Sequence, residues 1–102
     1  MVNLNTYTFA NNLLQTPAFS DLAYDGTNYY LFTTNYNGGV IRWDFGTNIM
    51  SIPTAYSLPG IGPLQQVEGI VIRKEGTNWY GFICSNNSGQ RLTRLDFGTN
   101  LA

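Results

Sequence analysis

Asp-Phe-Gly-Thr-Asn occupies residues 44–48 and again residues 96–100 of a 102-residue chain, and the duplication extends well beyond those letters. Arg42-Trp43-Asp44 corresponds to Arg94-Leu95-Asp96, and DGTNYYLF at 25–32 corresponds to EGTNWYGF at 75–82. NTYTFA at 5–10 resembles TAYSLP at 54–59. The three blocks keep one order in both halves. A chain written this way folds one unit twice, so we divide it into repeats at residues 1–50 and 51–102 that together make one structural body.

Each repeat reads as strands parted by turns. In the second, GIVIRK runs into the turn Glu75-Gly76-Thr77-Asn78, and NWYGFIC follows. In the first, the same turn is Asp25-Gly26-Thr27-Asn28, where Asp-Gly between apolar runs signals a hairpin. Looser turns, NYNGG and SNNSGQ, lead to strands that end in Arg-x-Asp-Phe-Gly. TAYSLP or NTYTFA supplies a fourth strand. No stretch carries a 3.6-residue period, so the predicted fold is all-β with four strands per repeat. Tyr29, Leu31 and Thr33 alternate with Tyr30, Phe32 and Thr34, and Trp79 and Ile83 alternate with Tyr80, Phe82 and Cys84. Both faces are apolar or aromatic, so each sheet must be covered on both sides. Repeated four-stranded units of this size, covered on both faces, are the signature of β-propeller blades.

Propellers typically close with about four to eight blades. Two blades per chain predict closure by head-to-tail association of identical copies into four, six or eight blades, with the six-bladed homotrimer favoured. The opening segment matches a fourth strand, and the second repeat carries none after DFGTNLA. The expectation is therefore a strand exchanged in trans, the amino-terminal segment of one copy completing the second blade of the next. This architecture resembles that of small two-bladed propeller lectins, which trimerise and bind sugars between blades. The motif WYGF followed by Arg-Leu-Asp-Phe-Gly is similar to repeats in large secreted propeller proteins of Bacteroidota-type bacteria. The first resemblance implies a non-catalytic carbohydrate-binding ring; the second implies a propeller repeat.

Composition narrows the function. Hydrophobic residues make up 43% and aromatic ones 15% of the chain, enough for a core. Charged residues are only 11%, the net charge is −1, and the five basic residues form no run. Nucleic acid and polybasic membrane contacts are excluded as partners on that ground. No apolar run approaches the roughly 20 residues that cross a bilayer. MVNLNTYTF lacks the pattern of a signal peptide, and an extracellular or secreted location is still favoured. Histidine is absent, which removes the usual general base and metal ligand. Cys84, the one cysteine, can form neither an intrachain disulfide nor a zinc cluster and is expected to be a buried, inert thiol. No metal or cofactor is expected.

The candidate binding residues follow from what remains. Arg42 with Asp44, and Arg94 with Asp96, share a strand face and can grip sugar hydroxyls with paired hydrogen bonds. Alternatively the Asp caps the turn at Gly46 or Gly98, or the pair bridges neighbouring blades. Trp43 lies among charged residues and is read first as blade packing, with a flat face for a sugar ring as the functional alternative, whereas Trp79 reads as core. Asn37 and Asn87, in the loops NYNGG and SNNSGQ with Asn35, Tyr36, Asn86 and Ser88, suit neutral polar ligands and suit tight turns equally. Asn86-Asn87-Ser88 is formally a glycosylation acceptor. Asp44 and Asp96 occupy equivalent positions, so nothing divides them into acid and base, and nothing brings Asp21 to Glu68; no enzyme is expected. The reading is a homo-oligomeric propeller module binding glycans; the alternative is a structural or engineered fragment of a larger propeller that only assembles.

Overall fold

The computed structural model describes residues 4–7, 9, 17–36, 39–58, 67–86 and 91–102. These residues contain seven strands: β1 (Pro17–Tyr24), β2 (Tyr29–Asn35), β3 (Val40–Gly46), β4 (Thr54–Ser57), β5 (Val67–Glu75), β6 (Asn78–Ser85) and β7 (Arg91–Gly98). The described chain is all-β, and it contains no helix long and apolar enough to cross a membrane. One antiparallel sheet has the order β1-β2-β3-β4 and the other β5-β6-β7. Four strands were expected in each blade, the fourth of the second blade coming from another copy; among the described residues the second sheet has three, and nothing pairs with the outer edge of β7. Residues 4–7 and 9 belong to no strand.

The repeat holds down to the hydrogen-bond register. Tyr30, Leu31 and Phe32 stand opposite Asp44, Trp43 and Arg42, just as Tyr80, Gly81 and Phe82 stand opposite Asp96, Leu95 and Arg94. The register slips at Tyr29/Tyr30 in one sheet and at Trp79/Tyr80 in the other. Gly46 (φ +71°) and Gly98 (φ +68°) sit at these bulges in the left-handed region, which a Cβ would strain. DFGTN is thus a bulge that ends a strand. Its Asn completes the turn: the Asn48 side chain accepts from the Met50 amide at 2.9 Å and Asn100 accepts from Ala102 at 3.0 Å.

The hairpin between β1 and β2 closes through Asp25, whose Oδ1 accepts from the amides of Thr27 (2.9 Å) and Asn28 (2.7 Å). The Asn28 amide, ahead of the smaller effect of Thr27, holds the Asp25 carboxyl below its ordinary pKa.

The two sheets pack face to face. Tyr30, Phe32, Val40 and Ala23 from the first sheet meet Val67, Ile70, Ile72, Trp79 and Ile83 from the second, with Leu101 closing the layer. The Phe32 and Phe97 rings lie 5.4 Å apart, tilted by 55°. Each large side chain fully buried here contributes roughly 1.5–3 kcal/mol of transfer free energy. Trp79 is core, as its strand predicts. Cys84 is not: it is exposed, a correction to the sequence reading. Strand β6 turns Trp79, Gly81 and Ile83 toward the first sheet, and the alternation sends Tyr80, Phe82 and Cys84 to the opposite face.

Candidate functional site

The repeated Arg-x-Asp strands are the most organised polar feature. Two residues apart on β3, Arg42 and Asp44 project from the same face, and the guanidinium meets the carboxylate edge-on. Nε donates to Oδ1 at 2.6 Å and Nη2 donates to Oδ2 at 2.9 Å. The third nitrogen, Nη1, donates to the Leu101 carbonyl at 3.1 Å, beyond the end of β7. The cation also lies 4.8 Å from the centre of the Tyr56 ring and 5.8 Å from that of Tyr30. Of the Arg42 side chain only 13% is exposed. Asp44 therefore orients an arginine that joins one sheet to the other. Among the described residues its carboxylate is engaged by Arg42 and by no amide of the Gly46 turn.

The second copy has the same pair in a different setting. Arg94 donates from Nε to Asp96 Oδ1 at 2.7 Å and from Nη2 to Oδ2 at 3.3 Å, and its cation lies 5.9 Å from the Tyr80 ring centre. The hydrogen bond to Asp96 raises the Arg94 pKa further, so the group is a permanent cation. Its side chain is 61% exposed, and among the described residues no acceptor meets its Nη1. Asn78, Tyr80, Arg94, Asp96 and Gly98 line a groove of about 330 Å³ on this outer face.

Trp43 points to the other side of the first sheet. It is buried at 3% exposure, its Nε1 donates to Thr33 Oγ1 at 2.8 Å, and the Phe9 ring lies 4.7 Å away. The indole offered by the sequence as a stacking platform is covered, and its one donor is satisfied. Alongside it Tyr7, Leu31, Phe45 and Pro53 help line an apolar cleft of about 180 Å³. Asn37 and Asn87 lie outside the described residues, as does Ser88. The candidate residues thus divide among three places: a buried link, an exposed groove, and a packed apolar face.

Sequence reasoning passed over Asp21. Its Oδ2 accepts from the Ile72 amide at 2.7 Å and from Arg73 Nη1 at 3.3 Å, so it too crosses between the sheets. One signal was present: Asp21 takes the place that Val71 holds in the second repeat, a carboxylate where the other copy has an apolar residue. Glu68 is exposed on β5 and forms no ion pair among the described residues. Compared with known proteins, the chain matches no family model, no curated protein and no solved structure.

Proposed function

We propose that this chain is a non-catalytic, self-associating β-propeller unit, and that copies of it close into a ring, six blades in a trimer being the favoured size. One observation carries the reading. Positions that correspond in the two repeats differ in burial according to whether the other sheet covers them: Val40 is 1% exposed, and its counterpart Leu92 is 70% exposed. The second sheet therefore presents, toward solvent, the side-chain set that the first sheet uses for packing. Leu92 and Val71, 70% and 40% exposed on this one face, together mark an association surface where a single side chain would not. Size-exclusion chromatography with light scattering tests this directly: a mass of three chains is expected, and a monomer at every concentration sinks the proposal.

Carbohydrate binding is the second reading, and the groove at Arg94 favours it. A paired guanidinium and carboxylate beside Tyr80 and Asn78 supplies donors, acceptors and an aromatic face for a neutral sugar. The covered indole of Trp43 and the engaged guanidinium of Arg42 place this reading behind assembly. A sugar in this groove and a docked second copy compete for Arg94, so a glycan array separates the two readings. Binding that disappears in Arg94→Ala while the oligomer persists supports the sugar site, and an empty array leaves assembly alone.

A further inference from the structure

The contact between the two sheets of one chain is a worked example of how one copy of the repeat sits on the next. Strand residues on the first sheet's side of that contact correspond to residues on the outer face of the second sheet, and those on the second sheet's side to the outer face of the first, while the counterparts of Leu101 and Tyr56, Ile49 and Tyr7, lie outside the strands. Leu101, which receives Arg42, is 2% exposed; Ile49, at the same place after the first DFGTN, is 41% exposed. Asp21 reaches the backbone of Ile72; their counterparts are Val71 and Leu22, both exposed and both apolar. Tyr56 covers Arg42, and Tyr7 holds the matching position in NTYTFA.

These substitutions are mutually consistent. Asp21 accepts from the Ile72 amide and from Arg73; the counterparts of these donors are the Leu22 amide, which already donates to Asp21 Oδ1 of its own chain at 3.1 Å, and the apolar Ala23, so Val71 strands no polar partner there. The Arg-Asp pair, by contrast, is retained unchanged, and Arg94 already holds the geometry of Arg42 with one nitrogen awaiting an acceptor. A carbonyl at the Ile49 position supplies it. The same register places Tyr7 of another copy beside Arg94, along the edge of β7 that no described strand occupies.

Resting on the self-association reading, we infer that the outer face of the second sheet docks on the outer face of the first sheet of another copy in the geometry that joins the sheets within one chain: Arg94 donates to the Ile49 carbonyl, Val71 packs on Leu22, and Tyr7 covers the guanidinium. The contact is heterologous, two different faces meeting, so it propagates head to tail and closes only as a ring.

The test uses single-cysteine chains in a Cys84→Ser background, one carrying Leu22→Cys and the other Val71→Cys, treated with a short bis-maleimide. Coexpressed, the two variants are expected to yield a crosslinked dimer that contains one of each, while either variant alone stays uncrosslinked. A Leu22→Cys homodimer, a Val71→Cys homodimer, or an uncrosslinked protein whose light-scattering mass is still oligomeric overturns the docking geometry. A monomeric mass before crosslinking overturns the association reading instead. In the otherwise native chain, Arg94→Ala is expected to raise the half-dissociation concentration at least about tenfold, because the donor to a buried carbonyl is lost. An unchanged midpoint in that variant removes the arginine from the interface.

Discussion

The Arg42 guanidinium donates to the carbonyl of Leu101, 59 residues further along the chain, while Asp44 holds its other edge. Removing the arginine would leave a partly buried carboxylate and a buried carbonyl unpaired. Arg42→Ala is therefore expected to lower the unfolding free energy by about 2–3 kcal/mol, less than a fully buried pair because Asp44 is 24% exposed. Arg42→Lys recovers little of this, since an ammonium cannot serve both carboxylate oxygens and the carbonyl in one plane. Arg94→Ala, which removes only a solvent-exposed pair, is expected to shift the urea midpoint far less than Arg42→Ala does. Urea denaturation of the three variants checks the ordering.

Trp43 acts through packing. Trp43→Ala opens a cavity against Phe9 and Leu31 and is expected to cost about 3–5 kcal/mol. Trp43→Phe retains part of the ring and deprives Thr33 of a donor, for a smaller loss of about 1–2 kcal/mol. If thermal unfolding showed both variants as stable as the parent, the indole would not be a packing residue.

Gly81 stands where the first repeat has Leu31, and the difference is steric. A Cβ there would lie 3.2 Å from both Ile72 Cδ1 and Phe97 Cε2, and 3.4 Å from Leu95 Cβ. Gly81→Leu, which makes the repeats more alike, is expected to destabilise by about 1–3 kcal/mol through overpacking of the layer between the sheets. Gly81→Ala should cost less. Comparing denaturant midpoints decides whether that layer is as close-packed as the geometry states.

Asp25 gives the hairpin a pH dependence. Its folded pKa lies below the ordinary 3.8, so its contribution is fully present above that value and is lost as the pH falls through the lower, folded one. The turn is solvent-screened, and the effect is on the order of 0.5 kcal/mol. The parent chain should lose more stability than Asp25→Asn as the pH drops below 3.8. Parallel acid titrations of the two would refute the assignment.

Much of the fold was legible because its causes are local. The turn at Asp25, the bulge at Gly46 and the strand alternation at Tyr29 to Thr34 depend on residues a few positions apart, and their second copies repeat the same chemistry. The candidate site was read less well. Arg42 and Arg94 both stand in the same Arg-x-Asp-Phe-Gly motif, so that motif does not distinguish the buried link from the exposed cation. Trp43 was a ligand candidate because charged residues flank it; strand alternation puts those charges on the opposite face and the indole under Phe9, which is the packing role that was its first reading.

The sequence by itself determined the duplicated unit, its strands and its turns, since short-range hydrogen bonding and steric limits on φ suffice for these. Only the tertiary structure decided which face of each unit is covered. Burial depends on a partner surface brought from dozens of residues away: Leu101 reaches Arg42 because the second sheet stacks on the first, and among the described residues nothing stacks likewise on the second.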